Sequence, residues 1–176
     1  MILGSLLHIL GFKQVPPKQP GQQEGVFWLS SREDKRESDA TLLYQPGKGA
    51  RFDIGFIGRG NPEISLDKVS RFERKAEYET AKYDLQTIIL VDSIGRNSRI
   101  VEMARSIDGT IIQMSASYWP KLIAQVLGRT LGFKHELVEM PEADIEDFLK
   151  SKLADVPLER FIGQVQIPLT STDYEL

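Results

Sequence analysis

The chain has 176 residues, of which 41% are hydrophobic and 27% charged, as in an ordinary globular domain rather than a disordered segment. It has no cysteine, and His8 and His135 lie far apart in sequence. These counts exclude disulfides, thiolate metal sites and a cysteine nucleophile, and they argue against a histidine-rich zinc site. No apolar run approaches the roughly 20 residues that span a bilayer. Because the apolar N-terminus also lacks the basic region and cleavage site of a secretory signal, we expect a cytoplasmic protein.

The net charge of −3 is distributed unevenly along the chain. Residues 1–135 contain 19 Lys and Arg against 15 Asp and Glu, a net +4, whereas residues 136–176 contain 3 against 10, a net −7. A basic body with an acidic tail is compatible with DNA binding by the body. We predict one domain over residues 1–176, with a core at about 24–135 and an acidic C-terminal extension at 136–176.

The first half of the chain predicts a helix followed by three short strands. The first 12 residues have helical periodicity that ends at Gly11, and a loop rich in Pro and Gly follows. Residues 22–31 fit either a short helix or an extended segment. Three runs with strand character come next, and the short turns between them predict an antiparallel meander; the runs are residues 40–44, 51–57 and 63–69.

The second half alternates helices with strands. A helix to about Leu85 precedes a strand at residues 87–91, and a helix from Asn97 or Ser98 precedes a strand at 110–114. Pro120 then opens a helix that Gly132 ends, and a last helix begins near residues 140–144. Alternation of this kind is typical of parallel crossovers. The predicted fold class is therefore α/β, with a mixed sheet of about five strands, antiparallel and then parallel, flanked by helices.

Acidic residues lie inside the second and third predicted strands. Asp53 has apolar neighbours on both sides, where a bare carboxylate is costly unless it meets a cation or a donor. Asp67 and Lys68 occupy the same kind of position in the next strand. Because Mg²⁺ takes one or two carboxylates plus substrate phosphate oxygens, we predict that Asp53 and Asp67 hold Mg²⁺ at the rim of the sheet. Lys68 would steady the attacking water or the phosphate in a metal-dependent phosphodiester cleavage.

Other charged residues near these strands have two interpretations each. Glu63 either caps a turn or is an auxiliary acid, and Glu73 and Lys75 either belong to a charged helix face with i,i+4 pairs or serve the site. The charge run at residues 32–39 is either a solvated surface or a set of phosphate contacts with one spare acid beside the site. Five basic residues are predicted DNA contacts: Arg59, Arg71, Arg96, Arg99 and Lys121.

The strand order, with an acid in the second strand and an acid and a lysine in the third, resembles the PD-(D/E)XK nuclease superfamily. More narrowly, residues 51–73 and 111–120 look like CfrBI-type restriction endonucleases, a resemblance that covers about residues 24–135. It implies a type II restriction endonuclease that cleaves double-stranded DNA with Mg²⁺, usually as a homodimer, in host defence beside a methyltransferase.

The chain departs from the superfamily's acid-x-lysine spacing. Val69 occupies the lysine position after Asp67, whereas Glu73-Arg74-Lys75 has the expected spacing beyond the predicted strand. Lys68 and Lys75 therefore both stay open as the catalytic lysine.

Two other functions stay open on the residues alone. The displaced lysine would fit an inactive or truncated nuclease-fold protein that binds DNA or a partner without cleaving. Asp92 and Ser115, at the ends of two predicted strands, would fit a non-nucleolytic α/β enzyme. The absence of a Walker-type loop argues against NTP hydrolysis.

Overall fold

The structure is a computed structural model that describes residues 3–17, 21–31, 33–55, 66–92, 94 and 98–155. Its strands are β1 Lys13–Gln14, β2 Val26–Leu29, β3 Ala40–Gln45, β4 Lys48–Gly55, β5 Asp84–Val91 and β6 Thr110–Gln113. Its helices are α1 Leu3–Ile9, α2 Leu66–Lys82, α3 Ser98–Ser106, α4 Trp119–Leu131 and α5 Glu142–Leu153, with a 3₁₀ turn at Glu136–Val138.

The six strands form one mixed sheet in the order β1-β2-β3-β4-β5-β6. The pairs β2/β3 and β3/β4 are antiparallel, and the pairs β1/β2, β4/β5 and β5/β6 are parallel. The predicted α/β class, with an antiparallel meander followed by parallel crossovers, is confirmed. The sheet has six strands where about five were predicted. Two strands were not predicted, β1 and the β2 that lies in residues 22–31, and one predicted strand is instead the start of a helix.

The prediction of a third meander strand at residues 63–69 is wrong from Leu66 onward, because α2 begins there. A short alternation of apolar and polar residues fits both the helical and the strand period, and the longer pattern decides. Val69, Phe72 and Ala76 recur at helical spacing, and Phe72 is 1% exposed in a cluster with β5 and α3. The meander is therefore β2-β3-β4, one strand earlier in the chain than predicted.

Helices cover both faces of the sheet. On one face, α1, α4 and α5 bury a large apolar core against the strands, including Phe52 of β4. On the other face, α2 and α3 pack over the C-terminal half of β5, and a separate small cluster joins β2 and β3 to Leu85 at the start of β5. The α2 face is thus divided, and the part between its two apolar clusters is polar.

The boundaries in the second half agree closely with the sequence. Helix α4 has Pro in its first turn and ends at Gly132, whose left-handed φ of 74° and N–H bond to Gly128 O form the predicted C-cap. The last helix begins where predicted, at Glu142, and Ile145 and Leu149 form its buried face. Among the helices of the described ranges, none has both the length and the hydrophobicity that a bilayer-spanning segment needs.

The β3–β4 hairpin turns at Pro46-Gly47, and Gly47 has a φ of 70°. The register then shifts by one residue between Leu43 and Gln45, which marks a bulge. At the bulge, Gly49 pairs with Leu43, and a Cβ on Gly49 would lie 1.7 Å from the Leu42 carbonyl oxygen. The backbone approach at Gly49 therefore leaves no room for a side chain.

We expect Gly49→Ala to lower the free energy of unfolding by about 3 kcal/mol, since the clash is with backbone and forces the hairpin to move. The melting temperature should fall by about 6–12 °C in a chain of this size. Gly47→Ala is the matched control, because its Cβ meets open space and only the left-handed φ is strained, at about 1–2 kcal/mol. Equal losses in the two variants, measured by urea and thermal unfolding, would contradict the close approach at Gly49.

Candidate active site

A buried polar layer lies between α2 and the sheet. Of the nine buried polar or charged side chains among the described residues, seven belong to this layer. They come from the segment before β3, from three neighbouring strands and from α2: Ser38, Thr41, Arg51, Asp53, Thr87, Lys75 and Glu79. Buried ionisable groups on this scale are costly unless paired, so the layer is a candidate site rather than ordinary core.

Strand register sets the rows of the polar layer. Thr41, Arg51 and Thr87 pair across β3, β4 and β5, and the Arg51 Nη1 donates to Thr87 Oγ1 at 3.3 Å. Asp53 lies two residues further along β4, on the same face as Arg51 because side chains alternate along a strand. Arg51 Nη2 donates to Asp53 Oδ2 within this face.

Asp53 also meets Lys75 from the helix above it. The Lys75 Nζ lies 3.5 Å from Asp53 Oδ1, and the Lys75 side chain is only 11% exposed. This separation makes an ion pair but is at the limit of a hydrogen bond, and Oδ1 accepts no hydrogen bond from the described residues. The prediction that Asp53 points at the rim is wrong, since its side chain is fully buried. Two cations, Arg51 and Lys75, accompany the buried carboxylate.

Asp39 is a second acid beside Asp53, and it ends the charge run at residues 32–39 in which the sequence suggested one spare acid without identifying it. Ala40 pairs with Phe52 in the antiparallel β3/β4 ladder, so continuing the register by one residue sets Asp39 opposite Asp53. The Asp39 Oδ2 accepts a hydrogen bond of 2.7 Å from the backbone N of Ile54. The hairpin therefore presents two carboxylates from its two arms at one place.

Burial and neighbouring charges determine the protonation of this pair. Burial raises the pKa of Asp53 from its ordinary 3.8 to about 6, although the positive charges of Arg51 and Lys75 oppose the rise. The negative charge of Asp39 raises the Asp53 pKa as well. Burial also lowers the pKa of the Arg51 guanidinium. Near neutral pH, Asp53 is a carboxylate that a further cation would stabilise.

We expect ionisation of Asp53 to weaken the metal-free fold. Its pKa is higher folded than unfolded, so its contribution to stability is present below about pH 4 and is lost as the pH rises through about 6. A shift of about two units corresponds to about 3 kcal/mol. The free energy of unfolding of the wild type, relative to Asp53→Asn, should therefore fall by about 3 kcal/mol across this range in urea titrations. If the difference in free energy of unfolding between the wild type and Asp53→Asn stayed constant with pH, the raised pKa of Asp53 would be contradicted.

The predicted partners of Asp53 in the third strand lie elsewhere. Asp67 is exposed in the first turn of α2, where an acid is favoured by the helix dipole, and it precedes Lys75 by eight residues. Eight residues correspond to about 12 Å along the helix axis. Lys68 is half-buried on the same helix, and Glu73 is two residues from Lys75, a spacing at which helical side chains do not face each other. Of the two lysines left open, the structure brings Lys75 to Asp53.

The predicted DNA contacts divide into two groups. Arg71 and Arg99 are exposed near the N-termini of α2 and α3, and Gly55 at the end of β4 lies against Phe72, which places this end of α2 beside the Asp53 end of the strand. Lys121 instead donates from Nζ to the Met140 carbonyl at 2.8 Å, which uses its ammonium in packing α4. Three of the predicted residues lie outside the described ranges: Arg59, Glu63 and Arg96.

The residues of the non-nucleolytic alternative are neighbours at the ends of β5 and β6. The backbone N of Ser115 donates to the backbone O of Asp92 at 3.1 Å. This contact joins two strand ends and assigns no chemistry to either side chain, so the alternative stays a hypothesis.

The donor set around Asp53 fits a hard divalent cation of the Mg²⁺ type. No group of three or more His, Cys, Asp or Glu side chains in the described ranges is arranged to hold a metal. Mg²⁺ needs fewer, since it binds through one or two carboxylates and fills its other positions with water and phosphate oxygens. Asp53 Oδ1, buried and without a hydrogen-bond donor, and the carboxylate of Asp39 are the oxygens that this arrangement offers.

Comparison with known proteins places the chain in a family. A family model described as CfrBI restriction endonuclease matches residues 1–99, more than half of the chain. The chain belongs to this family. The matched range contains every residue of the polar layer and also Asp39, and the resemblance seen in the sequence is confirmed.

One curated relative shows how much of a longer protein the chain covers. The type II restriction enzyme CfrBI of Citrobacter freundii is 45% identical over 163 residues, which are 92% of this chain and 46% of that enzyme. The chain therefore spans about half the length of the curated relative it matches. Among solved structures, the small subunit of the heterodimeric restriction endonuclease R.BspD6I aligns over 86% of each chain, with 16% identity and a TM-score of 0.42.

Proposed function

We propose that the chain carries the nuclease centre of a type II restriction-like endonuclease that hydrolyses phosphodiester bonds of double-stranded DNA with Mg²⁺. The observation that supports this most directly is the buried Asp53, whose Oδ1 accepts no hydrogen bond from the described residues and lies 3.5 Å from the Lys75 Nζ, with Asp39 opposite it when the hairpin register is continued. The 45% identical relative is by name a type II restriction enzyme. Assembly as a homodimer and a cytoplasmic location belong to the same proposal.

In this proposal the two acids of the β3–β4 hairpin hold the ion. Asp53 offers Oδ1, and Asp39, opposite it in the ladder, offers the second carboxylate. When bound, Mg²⁺ supplies Lewis acidity that stabilises charge on the phosphate and eases deprotonation of the attacking water. Lys75 then places its ammonium beside the reacting groups, where it donates to the water or to a phosphate oxygen.

The basic residues at the same end of the molecule would bind the DNA backbone. Arg71 is exposed in the second turn of α2, next to the Phe72 that contacts Gly55 of β4, and Arg99 is exposed in the first turn of α3. Contacts to phosphates position the duplex and carry no base specificity. Neutralising phosphates also makes affinity fall as salt rises, so these residues would set where the duplex lies over Asp53.

The proposal is tested by incubating the chain with mixed plasmid and phage DNA, in Mg²⁺ or in EDTA, followed by electrophoresis. Discrete fragments that appear only with Mg²⁺ are the expected result. DNA that stays intact in Mg²⁺ and in Mn²⁺, with a folded protein, would contradict the nuclease proposal for this chain.

A second candidate function is favoured by the contacts of Asp53 itself. Arg51 donates to Oδ2 while Lys75 lies at Oδ1, so both oxygens already have a cationic neighbour that competes with a metal ion. A nuclease-fold protein with a neutralised acid would bind DNA or a partner without cleaving. Calorimetry with Mn²⁺ separates the two, because DNA binding without metal binding or cleavage supports the second.

A further inference from the structure

A second carboxylate of α2 contacts the segment that carries Asp39. Glu79 lies one helical turn after Lys75 and is 2% exposed. Its Oε1 accepts a hydrogen bond of 3.0 Å from the backbone N of Ser38 and one of 3.2 Å from the Ser38 Oγ. Since residues four apart lie on one face of a helix, the face that brings Lys75 to Asp53 also fixes the residue before Asp39.

Ser38 has two donors near Glu79, its backbone N–H and its hydroxyl, and only the backbone N–H is committed to Glu79. The Ser38 Oγ lies 3.0 Å from both Ala40 O and Thr41 Oγ1 as well as near Glu79, and a hydroxyl has one proton to donate. The backbone N–H has no such choice, and it points at Glu79 Oε1. The contact therefore restrains the main chain at Ser38 and not merely its side chain.

Asp39 is held on its other side by β4 and by the end of β2. Its Oδ2 accepts from the N of Ile54 at 2.7 Å, and its backbone O accepts from Ser30 N at 3.2 Å. The Asp39 carboxylate is thus located by the hairpin ladder and by the clamp of Glu79 on the preceding residue. Loss of the clamp would leave the start of β3 held by ladder contacts alone.

Glu79 has two effects that a single substitution would confuse. Its oxygen accepts the Ser38 hydrogen bonds, and its negative charge opposes the lowering of the Arg51 pKa by burial. A charge acting on Arg51 needs no particular reach, whereas the hydrogen bond to Ser38 needs the full length of the glutamate side chain from α2. Length and charge are therefore the properties to separate.

We propose that Glu79 is a positioning residue, which through Ser38 fixes the Asp39 carboxylate opposite Asp53 and so sets the affinity of the site for a divalent cation. This inference rests on the proposed function, in which Asp39 and Asp53 hold the ion. Residues that orient a metal ligand typically account for roughly 10- to 100-fold in affinity or activity.

Two conservative substitutions of Glu79 separate the length of the side chain from its charge, and they lead to opposite expectations for the Mn²⁺ affinity. Glu79→Gln keeps the length and an acceptor oxygen but loses the charge, whereas Glu79→Asp keeps the charge and is one methylene shorter. Measured by calorimetry with Mn²⁺, Glu79→Asp should bind roughly 10- to 100-fold more weakly, and Glu79→Gln should bind like the wild type. Glu77→Gln and Glu77→Asp, exposed on the same helix, are the matched controls and should leave the affinity unchanged.

Cleavage at varied Mg²⁺ gives a second readout. The defect of Glu79→Asp should appear at limiting Mg²⁺ and vanish at saturating Mg²⁺, since the ion is bound less tightly but the chemistry is intact. The reverse order, with Glu79→Gln weak and Glu79→Asp normal, would assign Glu79 to charge and overturn the inference. Normal affinity in both variants would overturn it too.

Folding and the wild type complete the test. If Glu79→Asp is unfolded by circular dichroism, then wild-type affinity in Glu79→Gln supports the inference and a loss there overturns it. If the wild type binds no Mn²⁺, this inference and the proposed function fall together. Suppose instead that the wild type binds Mn²⁺ and Asp53→Asn does not. A Glu79→Gln variant that binds Mn²⁺ more weakly than Glu79→Asp would then overturn only the positioning role of Glu79 and would leave the proposed function standing.

Discussion

Asp53→Asn is expected to abolish Mg²⁺-dependent DNA cleavage while the chain stays folded. Asparagine has the shape of aspartate and keeps an oxygen that can accept from Arg51, so the packing of β4 under α2 is kept, at a cost in stability because Arg51 loses its counter-ion. A neutral amide is, however, a poor ligand for Mg²⁺. Loss of metal chemistry worth several kcal/mol corresponds to a fall in rate of about a thousandfold or more. Plasmid cleavage measures the rate, Mn²⁺ calorimetry measures the lost affinity, and circular dichroism checks the fold.

Asp84→Asn is the matched control for this change. Asp84 is exposed at the start of β5, opposite Lys48 and therefore at the far end of the β4/β5 pair from Asp53. It should cleave like the wild type, and unchanged cleavage by Asp53→Asn would remove Asp53 from the mechanism.

The second ligand is tested by comparing Asp39→Asn with Asp67→Asn. Because the hairpin register sets Asp39 opposite Asp53, we expect Asp39→Asn to lose Mn²⁺ affinity. A loss confined to Asp67→Asn would restore the ligand predicted from the sequence.

Lys75→Met is expected to separate catalysis from metal binding. The Lys75 ammonium lies 3.5 Å from Asp53 Oδ1, and methionine keeps much of the volume of the buried side chain but no charge. A donor aimed at the developing charge is typically worth about 10² to 10⁴ in rate, so kcat should fall by about that factor. Because a competing positive charge is gone, Mn²⁺ should bind at least as tightly as in the wild type.

Lys68→Met decides between the two lysines that the sequence left open. Lys68 lies seven residues before Lys75 on the same helix, about 10 Å along its axis. Its replacement should have a much smaller effect on kcat than that of Lys75. A large loss in Lys68→Met with full activity in Lys75→Met would assign the catalytic lysine to Lys68, and loss of metal affinity in Lys75→Met would show a structural defect instead.

The importance of Asp53 follows from its neighbours in the sequence. An aspartate between Phe52 and Ile54 in a buried strand requires a cation or a donor whatever the fold, and Arg51 and Lys75 are the cations it meets. The parallel crossovers were equally predictable, because the helices and strands after residue 66 are long enough for their periods to differ.

The prediction of a third strand at residues 63–69 was wrong for a physical reason. Over residues 63–69 the apolar positions are compatible with both the strand period and the helical period. An apolar helix face can be recognised only when the pattern extends over several turns. Phe72 and Ala76, packed on the sheet, belong to the same face as Val69. Asp67 and Lys68 were therefore assigned to a strand when they begin α2, and the acid-x-lysine spacing was sought on the wrong kind of element.

The position of Asp39 opposite Asp53 depends on a shift of one residue in the β3/β4 register. A two-residue turn at Pro46-Gly47 pairs Gln45 with Lys48, and without a bulge the same count would set Ala40 opposite Asp53. The bulge at Leu43 shifts the ladder by one, and because side chains alternate, a shift of one residue changes which face each of them occupies. With this register, continuing the ladder by one residue beyond Ala40 sets Asp39 opposite Asp53.

The sequence alone determined that an acid lies between apolar residues of a β-strand and that helices and parallel strands follow it, because the neighbours of a residue and long periodicities are local properties. Only the tertiary structure decided which groups meet that acid. Lys75 comes from a helix more than 20 residues away, and Asp39 comes from a register that a bulge sets. Contacts of this kind depend on how elements pack, and packing energy is shared among residues that are distant in the chain.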